Sequence, residues 1–302
     1  MKKKIELIEI GPRDGFQNIP EYIPAEVKLA IIDDLVAAGV RHVEYTSFVS
    51  PKAIPQLRDA KELTAVILEK YPGMDFFPLI PNLYGARTAV ECGLTKAAYV
   101  VSLSASHNKA NINRTHAESL AELQRIRAAF PGLELCVDIA TAFGCPFEGK
   151  LLEPQKLVDF LSDYILAGVR TFCLCDTIGI ADPAQLRREI AAVTAAYPDT
   201  EFQVHIHDTR NMGIANTLAA IESGITAVQS TLGGLGGCPF APGASGNTAT
   251  EDLVFMLNEM GYDTGIDFER LLTAAKREHS IIPGTYSGHH INIAQTTPCT
   301  LH

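Results

Sequence analysis

One pattern recurs along the chain and limits the folds available to it: a short run rich in β-branched residues, a polar turn, and an amphipathic segment of helical length. The short runs predict β-strands at Ile5–Ile10, His42–Thr46, Asp75–Ile80, Ala97–Leu103, Glu134–Ala140, Thr171–Cys175, Phe202–Ile206 and Ala227–Thr231. The segments between them have helical periodicity and predict helices at Pro24–Ala38, Ala53–Lys70, Leu83–Cys92, Thr115–Ala129, Glu153–Leu166, Pro183–Ala196 and Met212–Glu222. This alternation is typical of α/β proteins with a parallel sheet.

The strand spacing distinguishes between two α/β architectures. Eight strands within about 225 residues correspond to about 32 residues for each strand–helix unit, which is typical of a closed (β/α)8 barrel. A doubly wound sheet usually has fewer strands, and the Gly-x-Gly-x-x-Gly fingerprint that would follow its first strand is absent. The sequence therefore predicts a TIM barrel over residues 1–265. Helical segments at Thr248–Met260 and Phe268–His279 lead us to expect a C-terminal helical extension, residues 266–302, packed on the barrel.

Composition and charge exclude several classes of protein. Of the 302 residues, 47% are hydrophobic and 20% are charged, which is enough apolar material for a core and excludes intrinsic disorder. A net charge of −10 without a basic stripe argues against a nucleic-acid partner. No apolar run approaches the roughly 18 residues of a membrane span, and Glu6 and Glu9 interrupt the apolar N-terminus. Seven scattered cysteines suit free thiols in a reducing compartment, so we expect a cytoplasmic protein without a membrane partner.

Polar residues at the ends of predicted strands indicate where a site would lie, because barrel active sites form at the carboxyl ends of the strands. The sharpest signal is His205-x-His207 on the seventh strand. Side chains two residues apart on a strand share a face, so both imidazoles could bind one metal ion, with Asp14 supplying a carboxylate. Such a ligand set without thiolate suits Mg²⁺ or Mn²⁺, and Asn247 and Glu44 occupy other expected rim positions. Two hydrogen-bonded rim histidines are the alternative.

Other rim residues have two interpretations each. Arg13-Asp14 could be a surface ion pair, or a fixed cation that stabilises an enolate oxygen beside a carboxylate that binds metal or accepts a proton. Asp176 could be a base or a turn cap. Glu44 could bind metal or hold Arg13 in place through a salt bridge.

A glycine-rich segment, residues 233–247, follows the eighth strand and contains Cys238. It could be a barrel-closing loop, or a lid that delivers the Cys238 thiol to the barrel mouth as a proton donor or nucleophile. Cys145 is interpreted as structural. Cys173 and Cys175 resemble a Cys-x-Cys metal pair, but they lie in an apolar strand and are interpreted as core thiols.

Together these motifs resemble the 3-hydroxy-3-methylglutaryl-CoA lyases, a family of metal-dependent TIM-barrel lyases related to isopropylmalate synthase. The matching stretches are residues 11–18, 44–52, 144–150, 176–179, 205–209, 233–247 and 250–253. The cysteine-bearing glycine loop is the most specific of them, since condensing relatives share the Arg-Asp and His-x-His features but lack that loop.

The resemblance implies a division of roles. Asp14, His205, His207 and Asn247 would hold a divalent cation, Mg²⁺ or Mn²⁺, with Glu44 close by. Asp14 or Asp176 would take the proton of the substrate's C3 hydroxyl, Arg13 would stabilise the enolate of acetyl-CoA, and Cys238 would protonate it. Arg13, Gln17 and Ser47 would bind the acyl-CoA substrate. The family also suggests a homodimer.

Three departures from the family pattern leave the acyl chain open. A typical member has an acidic residue where this chain has Ser104–Asn108, a Lys where it has Tyr84, and a different sequence at Arg210–Met212. His107 could contact substrate or simply begin a helix. The leading hypothesis is cleavage of 3-hydroxy-3-methylglutaryl-CoA to acetoacetate and acetyl-CoA. The alternatives are a lyase for a related 3-hydroxyacyl-CoA, such as citramalyl-CoA or an isoprenoid-chain glutaryl-CoA, a condensing acyltransferase of the isopropylmalate synthase type, and a barrel retained only for binding.

Overall fold

A computed structural model of the chain describes residues 2–237 and 246–293. Its central feature is a closed barrel of parallel strands in the order β1-β2-β3-β4-β5-β8-β9-β10, in which β1 pairs with both β2 and β10. The strands are β1 (Glu6–Glu9), β2 (His42–Ser47), β3 (Asp75–Ile80), β4 (Lys96–Ser102), β5 (Glu134–Ala140), β8 (Thr171–Asp176), β9 (Glu201–Ile206) and β10 (Ala227–Ser230). The predicted TIM barrel is confirmed.

Helices surround the barrel, and all but the last two return the chain from the end of one strand to the start of the next. They are α1 (Ala25–Ala37), α2 (Ala60–Lys70), α3 (Leu83–Glu91), α4 (Ala105–Ile112), α5 (His116–Ala129), α6 (Pro154–Leu166), α7 (Pro183–Ala196), α8 (Gly213–Glu222), α9 (Thr250–Glu259) and α10 (Phe268–Ile281). Their ends follow local chemistry. Thr115 and Glu118 form a reciprocal capping box at the start of α5, and Gly39 takes the left-handed conformation (φ 102°) after α1.

Three local features differ from the sequence prediction. Helix α4 was not predicted, because its residues are mainly polar and lack an amphipathic period. It forms nevertheless, since the Ser104 side chain accepts a hydrogen bond from the His107 backbone amide and caps its first turn. A small antiparallel pair, β6 (Gly144–Cys145) and β7 (Gly149–Lys150), was also not predicted. The segment predicted as a helix from Ala53 instead begins with a short 3-10 turn at Pro55–Leu57, ahead of α2.

The apolar core has two parts. The larger fills the layer between strands and helices and includes Val43, Leu123 and Phe172, each with a fully buried side chain. A smaller group, including Ile8, Phe77 and Ala98, forms a separate buried cluster of strand residues. Strand side chains therefore fill part of the barrel, and the polar residues predicted to form a site lie at the carboxyl ends of the strands. Within the described residues, no helix combines the length and apolar character needed to cross a membrane.

The segment after the eighth barrel strand packs on the outside of the barrel. Leu271, Ala274 and Ala275 are buried on one face of α10. The Arg277 guanidinium reaches Asp34 of α1 at 2.7 Å. The boundary at residue 265 stays a prediction, and residues 294–302 lie outside the described part of the chain.

Candidate active site and metal centre

A cavity of about 500 Å³ opens at the barrel mouth. Its lining includes residues that lie at the ends of strands or directly after them, among them Arg13, Asp14, Ser47, His205 and His207. The carboxyl ends of parallel barrel strands converge on one rim, which brings these residues together although they are far apart in the sequence.

Arg13 and Asp14 are held by a tight turn directly after β1. Residues Gly11–Gly15 form a single π-helical turn, in which the Asp14 amide donates to the Ile10 carbonyl at 2.7 Å. The Arg13 guanidinium donates to the carboxylates of both Asp14 and Glu44. Burial alone would lower the pKa of Arg13, but the charges of Glu44 and Asp14 raise it above its usual value. Arg13 is thus a buried, permanently charged cation at the cavity.

Asp14, His205 and His207 form a potential metal-binding group. One ligand atom from each lies within 4.8 Å of the others. The His205 and His207 rings lie on the same side of the chain, with centroids 4.9 Å apart, as strand alternation predicts. Gln229 fixes the orientation of His205, because its side-chain oxygen lies 3.2 Å from His205 Nδ1. A Nδ1–H donor to Gln229 leaves His205 Nε2 as an electron-pair donor.

Asn247 completes this arrangement. Its Nδ2 donates to Asp14 Oδ2 at 2.8 Å, which leaves Oδ1 as an acceptor. Asn247 Oδ1 and His207 Nδ1 are both buried without a hydrogen-bond partner among the described residues. Buried polar atoms are rarely left unpaired, so these two atoms are available to a ligand. The oxygen and nitrogen donors of the site fit a hard or borderline divalent cation.

The protonation states of these residues are those that metal binding requires. Burial alone would raise the pKa of Asp14, but Arg13 and the two histidines lower it to about 2. Burial lowers the pKa of His205, and burial together with the neighbouring His205 lowers that of His207 to about 3. At neutral pH the group therefore consists of a carboxylate and two neutral imidazoles.

Glu44 and Asp176 lie differently with respect to the cavity. Glu44 is fully buried and bonded to Arg13, which corresponds to the salt-bridge interpretation, although its Oε2 has no partner within the described chain. Burial raises the pKa of Glu44 despite the Arg13 charge. The Asp176 oxygens accept from the backbone amides of Ile180 and Ala181 at 3.0 and 3.1 Å, the geometry of a turn cap. Burial raises the pKa of Asp176 to about 6, and its side chain is not part of the cavity lining.

The remaining predicted residues fall into two groups. Gln17 and Ser47 line the cavity: Gln17 donates to Asp14 at 2.9 Å, and the buried Ser47 hydroxyl has no partner within the described residues. Cys238 lies outside the described residues. Gly237, which precedes it in the sequence, lines the cavity.

The thiols interpreted as structural are buried. Cys145 donates to the Ser104 hydroxyl at 3.0 Å. Cys173 and Cys175 pack together with Cys136, and none of these three belongs to a metal-binding group within the described chain.

Among the cavity residues that sequence reasoning missed are Asp138 and Gln229, which lie inside strands β5 and β10. The signal for Asp138 is a carboxylate in an otherwise apolar strand, where a buried charge is costly. His107 has both of the features considered for it. It lies in the first turn of α4, and its ring lines the cavity with Nδ1 2.7 Å from the Ser102 hydroxyl.

Comparison with known proteins identifies the family. The HMGL-like family model matches residues 4–277. The hydroxymethylglutaryl-CoA lyase YngG of Bacillus subtilis is 42% identical over 277 residues, which cover 91% of this chain and 92% of that protein. The mitochondrial hydroxymethylglutaryl-CoA lyase of Bos taurus is 40% identical over 274 residues, covering 90% of this chain and 84% of the bovine protein.

Solved structures agree with this assignment. The HMG-CoA lyase of Bacillus subtilis superposes with a TM-score of 0.90 at 38% identity, covering 96% of this chain and 97% of that one. An HMG-CoA lyase from Acinetobacter baumannii, in complex with coenzyme A and 3-methylmalate, gives 0.88 at 37% identity over 97% and 98% of the two chains. The chain therefore belongs to the HMGL-like family, which confirms the resemblance seen in its motifs and makes it a carbon–carbon lyase.

Proposed function

We propose that this enzyme cleaves 3-hydroxy-3-methylglutaryl-CoA to acetoacetate and acetyl-CoA in a retro-Claisen reaction that requires a divalent cation. The observation that carries the proposal is the meeting of Asp14, His205 and His207 with the buried Arg13 cation at one cavity. The names of the similar proteins support the substrate, and the coenzyme A found in one similar structure supports a thioester of that cofactor.

Asp14, His205, His207 and Asn247 would hold the cation, which we propose is Mg²⁺ or Mn²⁺. When bound, such a cation withdraws electron density from the substrate's hydroxyl and carbonyl oxygens and so favours loss of the hydroxyl proton. The low pKa of Asp14, about 2, keeps its carboxylate available over the neutral range.

The C3 hydroxyl proton passes to Asp14. Of the two bases considered, Asp14 lines the cavity, whereas Asp176 does not. As the C3–O bond becomes a carbonyl, the C2–C3 bond breaks and its electron pair moves to C2. Acetoacetate and the enolate of acetyl-CoA result. Asp176 acts as a positioning residue for the turn that carries Thr177, which borders the cavity.

Arg13 stabilises the negative charge that develops on the enolate oxygen. A fixed cation in a buried site stabilises such charge more strongly than one in water, because no solvent reorganisation is needed. Glu44 holds Arg13 in this orientation through its hydrogen bond to Nε. Gln17 and Ser47 bind the acyl portion, with the unpartnered Ser47 hydroxyl available to a substrate oxygen.

Cys238 returns a proton to C2 and releases acetyl-CoA. The cavity-lining position of the preceding Gly237 supports this role. The same residue separates the lyase from the condensing alternative, since a lyase must protonate the enolate and a condensing enzyme must instead remove a proton from acetyl-CoA.

A second candidate substrate has one observation in its favour. The similar structure from Acinetobacter baumannii is a complex with coenzyme A and 3-methylmalate. This favours a smaller hydroxy-dicarboxylic acid, joined to coenzyme A, as the alternative substrate of this chain.

The decisive experiment incubates the purified, reduced protein with 3-hydroxy-3-methylglutaryl-CoA and Mg²⁺ or Mn²⁺ and measures both products. Equal amounts of acetoacetate and acetyl-CoA, abolished by a chelator and restored by the metal, are expected. Absence of products from a folded, metal-binding protein would contradict the proposed substrate, and the methylmalyl- and citramalyl-CoA thioesters would be assayed next.

We propose in addition that the enzyme is a cytoplasmic homodimer. The family resemblance supports the dimer, and the odd number of scattered cysteines supports a reducing compartment. Light scattering after size-exclusion chromatography would test the dimer, and a monomer at micromolar concentration would contradict it.

A further inference from the structure

A segment after α10, residues 283–292, contacts the chain that follows β10, and the mechanism above gives it no role. We call this segment the C-terminal strap. The Gly288 amide donates to the Gly233 carbonyl at 2.9 Å, and the Thr285 carbonyl accepts from the Gly236 amide at 3.3 Å. The C-terminal strap therefore lies alongside the start of the glycine-rich segment, held there by two main-chain hydrogen bonds.

The C-terminal strap also contacts the other end of the glycine-rich segment, at Asn247. The Ser287 hydroxyl donates to the Asn247 carbonyl at 2.6 Å, and among the described residues this carbonyl has no second donor. The Asn247 side chain points to the metal-binding group: its Nδ2 donates to Asp14 Oδ2 at 2.8 Å and to the Leu235 carbonyl at 3.2 Å. Ser287 thus bonds the main chain of the residue whose side chain is proposed to bind the cation.

The C-terminal strap is itself anchored on α9 and α10. Asp252, in the first turn of α9, accepts from the amides of His289 and His290 at 2.8 and 3.1 Å, and its carboxylate lies 2.5 Å from His290 Nδ1. The His290 ring packs against Phe255 of α9 and Phe268 of α10, with centroid distances of 4.6 and 5.4 Å. The strap is therefore held by folded elements within two residues of its serine.

Support of this kind affects metal binding, because a ligand atom has to be held within about 0.5 Å of its binding geometry by the contacts around it. Removal of the Ser287 hydroxyl would leave the Asn247 carbonyl without its donor. An unpaired carbonyl is costly, so the chain shifts until the carbonyl finds a new partner or water. A shift of the Asn247 main chain would move its side chain away from Asp14.

We infer that Ser287 is a positioning residue for the metal site: through this hydroxyl the C-terminal strap holds the Asn247 main chain and directs the Asn247 side chain at the cation. The inference rests on the proposed function for the assignment of Asn247 as a ligand. It gives the C-terminal extension a role in the site, because the strap supports a metal centre whose other residues belong to the barrel.

Mn²⁺ titration calorimetry on the full chain, without substrate, tests the inference. Ser287→Ala should bind Mn²⁺ about fivefold more weakly than the wild-type protein, the value of one hydrogen bond. Ser287→Thr keeps the hydroxyl and should bind Mn²⁺ within about twofold of the wild type. A merely structural role would instead lower the number of Mn²⁺ sites per chain and leave the affinity of the folded fraction unchanged. Turnover of Ser287→Ala at sub-saturating Mn²⁺ should fall with the affinity and recover as Mn²⁺ is raised.

Ser280→Ala is the matched control, since Ser280 is exposed on α10 and its hydroxyl donates to the Arg277 carbonyl of the same helix at 2.7 Å. It should keep the wild-type Mn²⁺ affinity. The inference is overturned if Ser287→Ala also keeps that affinity, or if Ser287→Thr loses as much affinity as Ser287→Ala. If Ser287→Ala does not fold, Ser287→Val replaces it. Ser287→Val matches Ser287→Thr in shape without the hydroxyl and should bind Mn²⁺ about fivefold more weakly than Ser287→Thr.

Metal titration and product assays separate this inference from the proposed function. Weaker Mn²⁺ binding by Ser287→Ala, in a protein whose wild type releases no acetoacetate, would contradict the proposed reaction and support the role of Ser287. Metal-dependent cleavage of 3-hydroxy-3-methylglutaryl-CoA by the wild type, with equal Mn²⁺ affinity in Ser287→Ala, would do the opposite.

Discussion

In the proposed reaction, one set of residues binds the metal and Cys238 protonates the enolate. Two substitutions should separate these roles. His205→Ala removes an imidazole from the group formed with Asp14 and His207, so we expect both Mn²⁺ affinity and turnover to fall by at least ~100-fold.

Cys238→Ser keeps the described ligand set, so turnover should fall by a similar factor while Mn²⁺ affinity stays within about twofold. Calorimetric titration and product assays on both variants would measure this. Unchanged Mn²⁺ affinity in His205→Ala would contradict the ligand assignment.

What the sequence could predict at this scale depends on local geometry. The shared face of His205 and His207 follows from strand alternation alone, and the structure places Asp14 beside them. The sequence marks Asp138 only as a carboxylate in an apolar strand and gives no signal for Gln229, because sequence patterns do not show how deep a cavity reaches along a strand. The two interpretations of Asp176 are equally compatible with its position at the end of a strand, and only the contacts to Ile180 and Ala181 distinguish them.

Among the elements, the segment around Gly246 connects the proposed ligand Asn247 to the barrel. Gly246 has φ 83°, and an added Cβ would lie 2.6 Å from the Gly236 carbonyl carbon. Gly246→Ala therefore combines roughly 1–2 kcal/mol of backbone strain with a steric clash against the main chain. We expect Asn247 to shift and both kcat and Mn²⁺ affinity to fall about tenfold, while the far-ultraviolet circular dichroism spectrum stays unchanged.

Gly132→Ala is the control for this substitution, because a Cβ there meets no atom within 4 Å. Kinetics and metal titration on both alanine variants, at equal protein concentration, would test the prediction. If Gly246→Ala had the same kcat and Mn²⁺ affinity as Gly132→Ala, the segment would not position Asn247.

Elements with a clear hydrophobic period could be predicted, and those that depend on tertiary contacts could not. The predicted strand Glu134–Ala140 and helix Pro183–Ala196 have the same bounds in the structure. Helix α4 has no such period and depends on the Ser104 cap and on its place beside β4, so its sequence alone resembles a loop. This unpredicted helix also brings His107 to the cavity.

At the scale of the whole molecule, closure of the barrel requires contacts between its two ends. Glu9 on β1 accepts hydrogen bonds from the Leu232 amide at 2.9 Å and the Thr250 hydroxyl at 2.7 Å, beyond β10. Glu251, at the start of α9, accepts from the Gly233 amide at 2.9 Å. The spacing of the strands predicts a barrel, but not that the buried Glu9 carboxyl group joins its two ends, nor that Glu251 holds the glycine segment after β10 against α9. Because burial raises the pKa of both carboxyl groups, the free energy of unfolding depends on pH.

Burial, and then the charge of Asp252, raise the pKa of Glu251 from 4.5 to about 8. Below pH 4.5 the group is protonated in the folded and the unfolded chain, and its contribution to stability is fully present. As pH rises toward 8 only the unfolded chain loses the proton, so the free energy of unfolding falls by about 1.4 kcal/mol per pH unit, and it levels off above that value. Glutamine keeps the acceptor for Gly233 but cannot ionise. Glu251→Gln should therefore gain stability relative to the wild-type protein as pH rises from 5 to 8.

Urea unfolding at several pH values, with chelator present throughout, would measure this difference. Glu259→Gln, at an exposed position on the same helix, is the control and should follow the wild-type curve. Glu9, whose pKa burial raises to about 7, titrates in the same range in all three proteins. Because the charge of Glu9 also raises the pKa of Glu251, the difference between Glu251→Gln and the wild type reports Glu251 together with its interaction with Glu9. If that difference did not change with pH, Glu251 would be ionised in the folded barrel, and the carboxylate rather than the neutral acid would hold the glycine segment after β10.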